Sequence, residues 1–334
     1  MSTTPNGTPI LDALDPEIVD TLVTRRDALR TVGASGLVAA GLAAGSAPLA
    51  LGALASSAYA QTVAPSQIVA VLRFALLLEN LENEFYRAVL GTSQVAAVNA
   101  AFAPVRGTFA AGELAAFQEI QRHEQAHVNL LRTAIQGLGG TADTYTASSF
   151  DFTGGRGSGS GPLVTATQAN GKALLLAATQ AFEDTGVRAY KGQAGNLLRT
   201  EVLTTALQIH SIEARHAAKI RRMRAEFGAD ANVVRRSGVI VGGGLAAAGA
   251  PAGAPAAVAD LLALVYGGAT PESNTQHTVV ANGTPRTLDA ATVPGSTTQF
   301  AQMAYDEPLT AAEVVAIVTP FIAQGTPLPP LPPG

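Results

Sequence analysis

Two residue spacings occur twice in this chain, in the same order. Glu79 is followed seven residues on by Tyr86, and Glu124 and His127 then form E-x-x-H; Glu183 is followed seven on by Tyr190, and Glu213 and His216 form E-x-x-H again. With 14 Glu and 5 His among 334 residues, chance supplies well under one of each pair, so the repetition carries the signal. On an α-helix, positions seven apart share a face, and positions three apart lie about 60° apart and one turn along. Glu and His of each E-x-x-H can therefore reach one ion. The order predicts a two-metal site inside a helix bundle, with six ligands converging from four helices: Glu79, Glu124, His127, Glu183, Glu213 and His216.

All four elements sit in stretches with helical apolar periodicity: VLRFALLLENLENEFYRAVL, GELAAFQEIQRHEQAHVNLLRTAI, ALLLAATQAFEDTGVRAYKG and EVLTTALQIHSIEARHAAKIRRM. The acidic candidates interrupt apolar faces. A buried carboxylate is costly unless it is paired or binds a metal, and a metal resolves that cost. Cysteine is absent, which excludes thiolate zinc, disulfides and iron–sulfur clusters and leaves oxygen and imidazole as ligands. A net charge of −4 with scattered Lys and Arg gives no electrostatic ground for a nucleic-acid partner.

The connections set the topology. Helices are expected at about 66–90, 109–137, 164–192 and 196–228, with short links within each pair and a polar, glycine-rich stretch between the second and third. One long crossover at the midpoint is what a ferritin-like arrangement of four helices needs, and a simple up-down-up-down bundle does not need it. The expected fold is all-α: a ferritin-like four-helix bundle over 61–228, then a mixed, loop-rich extension over 229–334. Within the extension, Thr310 and Glu313 form a T-x-x-E capping box that predicts a helix near 310–323, stopped or kinked by Pro320.

Residues 1–60 read as a targeting segment. Arg25 and Arg26 precede a long Gly/Ala/Leu run, and Ala58-Tyr59-Ala60 fits a small-x-small cleavage site, the pattern of a twin-arginine export signal. The expected location is periplasmic or extracellular, with the twin-arginine machinery as a partner and no stable membrane insertion. That route commonly carries folded proteins already loaded with cofactor.

The segments LENEFY with Glu79 upstream, HEQAH, FEDTGVRAY and IEARH, together with the ending DEPLTAAEVVAIVTPFI, resemble the exported ferritin-like proteins that include the desiccation-related group. The resemblance covers about residues 65 to 325. It implies a bundle related to bacterioferritin, rubrerythrin and manganese catalase. Carried over by position, it implies Glu79 and Glu183 as terminal ligands, Glu124 and Glu213 as bridges between two ions, His127 and His216 as caps on one ion each, and Tyr86 and Tyr190 as hydrogen-bonding or redox residues beside them. Hard carboxylates with two imidazoles suit iron or manganese. The expected chemistry is redox at two metal ions with O2 or H2O2, catalase-like or ferroxidase-like, in stress protection, in a chain that can form a homo-oligomer.

Other readings of the same residues stay open at this level. A metal-silent protective binding module is one, and an iron-storage cage is another, although the long extension is bulk that closed cages rarely accommodate. His123-Glu124-Gln125-Ala126-His127 is literally H-E-x-x-H, the helix motif of zinc proteases, but that reading leaves the second E-x-x-H unexplained. Glu82 can replace Glu79 if the first helix is rotated. Glu84 is expected in solvent, Asp184 at the surface or beside the site, and Arg188 and Arg215 on the outer face. His123 and His210 are read as helix residues that can support the site, and His277 as a surface residue.

Overall fold

Four long helices carry the repeated motifs. A computed structural model describes residues 63–159, 171–227, 256–267, 274–281 and 284–332. The expected targeting segment, the start of the third helix at 164 and the Ala/Gly/Pro-rich stretch after 228 lie outside the described residues.

Helix α1, Pro65–Leu90, begins with proline at its first turn, where a missing N–H costs nothing, and ends at Gly91. Gly91 is left-handed at φ 77°, and the amide of Thr92 closes the end on the Arg87 carbonyl at 2.8 Å. A further helix, α2, Ala96–Arg106, follows. It lies where the sequence predicts only a short link: Pro104 inside it argues against a helix, while buried Phe102 and Val105 hold it on the core. Helix α3, Ala111–Gly137, pairs with α1 as an antiparallel hairpin. Arg73 of α1 donates two hydrogen bonds, at 2.7 and 2.6 Å, to Asp143 just past its end.

The second hairpin is α4, Gly171–Gln193, with α5, Glu201–Glu226, joined through a 3₁₀ turn at Ala194–Leu197. Helix α5 is amphipathic: Val202, Ala206, Ile209, Glu213, His216, Ile220 and Met223 recur inward at helical spacing. Helices α1 and α4 differ, because Leu76–Tyr86 and Leu174–Tyr190 are buried on every face. They form the centre, and α3 and α5 flank them.

Burial of α4 on all sides requires a cover, and the extension supplies it. Helix α6, Ala256–Gly267, and helix α8, Ala311–Val318, both contact α4. Between them lie the antiparallel strands β1, Gln276–Ala281, and β2, Thr284–Asp289, and helix α7, Thr298–Ala304. The predicted capping box forms: Thr310 Oγ1 accepts from the Glu313 amide at 3.3 Å and Glu313 Oε2 accepts from the Thr310 amide at 2.8 Å. The helix gives way to a 3₁₀ turn at Thr319–Phe321, where Pro320 lies. The crossover is strapped to this terminal segment, with Asp151 N donating to Phe321 O at 2.8 Å and Ala323 N to Ser149 O at 2.9 Å.

Three expectations are overturned, and for Arg188 and Asp184 the extension supplies the cover. Arg188 is fully buried, not on the outer face: its Nε donates to the Glu307 carbonyl at 2.7 Å and its Nη1 to the Val265 carbonyl. Asp184 is buried as well, accepting from the Tyr266 hydroxyl at 2.7 Å and from Arg221. Glu84, expected in solvent, is 7 % exposed and accepts from Arg87 at 3.2 Å. Arg215 does stay on the outer face.

The backbone contact between α4 and the extension is close enough to test. A Cβ built on Gly192 meets the Leu309 carbonyl oxygen at 1.9 Å, whereas one on Gly112 of α3 meets nothing within 4 Å. Alanine normally improves a helix by up to about 1 kcal/mol over glycine. Gly112→Ala is therefore expected to leave stability unchanged or raise it, and Gly192→Ala to lower it by about 1–3 kcal/mol through overpacking, as read by chemical denaturation of the two variants side by side.

Candidate metal centre

The residues of the two spacings meet in the middle of the bundle. Glu79 and Tyr86 come from α1, Glu124 and His127 from α3, Glu183 and Tyr190 from α4, and Glu213 and His216 from α5. All eight are buried, the four carboxylates at no more than 1 % exposure.

Their pairing is reciprocal. His127 Nδ1 of α3 lies 3.1 Å from Glu213 Oε1 of α5, and His216 Nδ1 of α5 lies 2.8 Å from Glu124 Oε1 of α3. The Tyr86 hydroxyl of α1 donates to Glu183 of α4, and the Tyr190 hydroxyl of α4 donates to Glu79 of α1. A step forward along one helix is matched by an equal step back along its partner, so each pair runs antiparallel. Equal spacing in both copies is the condition for both crossings to close at once. Because α1 is also antiparallel to α3, helices α3 and α4 run parallel, and the chain must cross the length of the bundle between them.

Two groups of donors result. Glu79, Glu124, His127 and Glu213 place one ligand atom each within 4.8 Å of one another, and so do Glu124, Glu183, Glu213 and His216. Glu124 and Glu213 belong to both. His127 Nδ1 also approaches Glu79 Oε2 at 3.0 Å and Glu124 Oε2 at 3.2 Å, and His216 Nδ1 approaches Glu183 Oε2 at 3.3 Å. Glu124 Oε1, Glu183 Oε2, both Glu213 oxygens and His216 Nδ1 are buried without a hydrogen-bond partner. Buried polar atoms in that condition are costly. Converging carboxylate oxygens and an imidazole nitrogen without hydrogen-bond partners fit divalent cations of the harder kind, so the cluster can hold metal.

The electrostatics point the same way. Burial drives the Glu183 carboxyl up to about 7, against the pull of His216. Burial and the neighbouring Glu213 raise Glu124 well above the carboxylate range, while the two imidazoles hold Glu213 down at about 2 despite its burial. Burial alone would depress His127 and His216, yet the surrounding carboxylates raise both far above an ordinary histidine. Tyr86 and Tyr190 are pushed up by burial and by the carboxylates they face, so both are neutral donors. The cluster holds more negative than positive groups and needs cations, either protons or metal ions.

The rival ligand assignments separate here. Glu79, and not Glu82, stands in the donor groups. Glu82 is nevertheless buried at the edge of the cluster, where burial and the carboxylates of Glu213, Glu183, Glu124 and Glu79 push it well above the usual carboxylate range. Gly186 makes room for it: a Cβ there would sit 3.1 Å from Glu82 Oε1 and 3.5 Å from Glu213 Oε2. No motif in the sequence announces that glycine. His123 stands in neither group, so H-E-x-x-H does not assemble as a two-histidine site. His210 is half-buried on the Val187 carbonyl at 2.9 Å, outside both donor groups.

Residues 67–226 match the family model of the ferritin-like domain. No curated protein and no solved structure matches the chain. The family match spans all four long helices and all eight residues of the cluster, and over residues 67–226 the chain carries a ferritin-like domain.

Proposed function

We propose that this is an exported di-metal protein whose two ions, iron or manganese, carry redox chemistry with O2 or H2O2. The observation that supports it is the sharing of Glu124 and Glu213 by two four-donor groups, the arrangement that places two cations side by side. Glu79 with His127, and Glu183 with His216, would complete the two ligand sets. Bound there, the ions would supply electron exchange with the oxidant, as in peroxide disproportionation to water and dioxygen or in Fe(II) oxidation.

The chain's own part is positional. Tyr86 and Tyr190 each hold one carboxylate oxygen, which leaves the other oxygen of Glu183 and Glu79 facing the ligand cluster. Phe117, Ile120 and Ile220 are buried on the flanking helices, in an apolar bundle core that excludes water from the carboxylates. The export reading rests on Arg25-Arg26 and Ala58-Tyr59-Ala60, and a role in oxidative or desiccation stress rests on the resemblance to exported ferritin-like proteins. No helix among the described residues is long and apolar enough to cross a membrane.

Metal content by mass spectrometry on protein purified from the native compartment is the first test. About two iron or manganese ions per chain are expected, and Glu213→Ala/His216→Ala should lose both because Glu213 serves each group. No stoichiometric metal in the wild type would leave a metal-silent ferritin-like module. With metal present, peroxide and ferroxidase assays separate the two reactions.

Acidity supplies an independent test on the metal-free protein. Glu183 is raised from 4.5 to about 7 on folding, and both imidazoles are raised from 6.5. Folding therefore takes up protons, and the stability these groups contribute is lost as pH rises through their folded values. The depressed Glu213 acts oppositely, but only below its unfolded value of 4.5. Melting temperature of the metal-free chain is expected to fall steadily between about pH 5 and pH 8, and metal loading should flatten that slope because the ions replace the protons.

A further inference from the structure

His123 is the residue of H-E-x-x-H that the two donor groups leave out, and its surroundings give it another task. Its Nδ1 lies 3.0 Å from His216 Nε2, the rings nearly parallel at 11°, and its Nε2 lies 3.3 Å from Glu119 Oε1. Glu119 and His123 are both partly in solvent, with side chains 54 % and 41 % exposed, whereas the His216 side chain is 5 % exposed. The three groups thus form a file from the surface to the cluster.

The tautomers in this file follow from one constraint. His216 turns Nδ1 toward Glu124, Glu183 and Glu213, so a metal ligand at that position needs Nδ1 unprotonated and carries its proton on Nε2. Nε2–H then donates to His123 Nδ1, and His123, with its own proton on Nε2, donates to Glu119. Every donor meets an acceptor.

The repeat provides the control within the molecule. Aligning the two E-x-x-H motifs sets Glu124 on Glu213 and His127 on His216, and it sets His123 on Ile212. Ile212 has no acceptor to offer, so the His127 half lacks the counterpart of His123. The two halves are alike in their ligands and unlike in what orients them.

We propose that His123, itself oriented by Glu119, is a positioning residue for His216 that fixes its tautomer and ring plane and makes the Glu124–Glu183–Glu213–His216 site the tighter of two inequivalent metal sites. The assignment rests on the di-metal reading. An imidazole ligand whose outer nitrogen is held by a partner is a better-oriented and more basic donor, and loss of such a partner commonly weakens metal binding about 10–100-fold.

The experiment is a titration of the full-length metal-free protein with Mn(II), followed by calorimetry, on the wild type, His123→Leu and His123→Asn. The wild type is expected to bind two ions with separable affinities. His123→Leu should weaken one step by about 10–100-fold and leave the other unchanged. His123→Asn, whose carbonyl oxygen takes the place of Nδ1, should recover most of that loss, which a merely structural role would not produce. Two unchanged binding steps in a folded His123→Leu protein would overturn the positioning role while leaving the di-metal reading intact. A wild type that binds no Mn(II) and no Fe(II) would overturn both, and it does so before any variant is made.

Discussion

Charge inside a helix bundle is the constraint on which this structure turns. Glu79, Glu124, Glu183 and Glu213 are all but sealed from solvent, and Glu82 joins them at the edge of the cluster. A carboxylate in such surroundings survives only with a hydrogen bond, a counter-charge or a proton. Each of the first four finds its answer on another helix: Glu79 and Glu183 in the tyrosines of each other's helix, Glu124 and Glu213 in the histidines of each other's helix. No helix can be withdrawn or shifted by a turn without stranding a charge at the centre. The cluster therefore fixes helix order, direction and register together, which an apolar core of Leu, Val and Phe alone does less strictly.

The same logic extends outward from α4. Asp184 and Arg188 sit on this helix beside residues that face the cluster, and in a bare four-helix bundle both would lie at the surface. Here they are enclosed, and their partners come from far along the chain: Tyr266 and Val265 from α6, and the Glu307 carbonyl ahead of α8. Gly192 permits the Leu309 backbone to close against the helix, and the Leu309 amide donates to the Arg188 carbonyl at 3.1 Å. The extension is thus part of the wall around the site, fastened by buried polar contacts whose loss would leave unpaired groups.

This division explains what was legible in the sequence. The buried glutamate–histidine–tyrosine cluster could be read because two crossings of antiparallel helices force equal spacings, and equal spacings are visible in a string of letters. Glu79 could be preferred to Glu82 for the same reason, since only Glu79 stands seven residues before a tyrosine as Glu183 does. The long crossover followed from segment lengths, and the capping box at Thr310 from two residues. What stayed hidden depends on contacts between distant segments. Arg188 and Asp184 look like surface charges because their cover lies about 80 to 120 residues away in sequence. Helix α2 contradicts its own proline and is held by tertiary packing of Phe102 and Val105. Gly186 gives no local sign that two carboxylates use the space where its side chain would be.

The near-symmetry of the repeat gives meaning to its departures. Where the halves agree, in glutamate, histidine and tyrosine at matched positions, the agreement is imposed by convergence on one centre. Beyond those positions nothing demands symmetry, and the chain does not keep it: His123 is set against Ile212, one central helix is covered by α2 and the other by the extension, and the polar file through His123 to Glu119 opens on one side of the centre. Two ions in equal ligand sets would be interchangeable. Unequal surroundings would make them distinct in affinity and in access to solvent, and in the proposed redox site that distinction would let one ion be held while the other is approached.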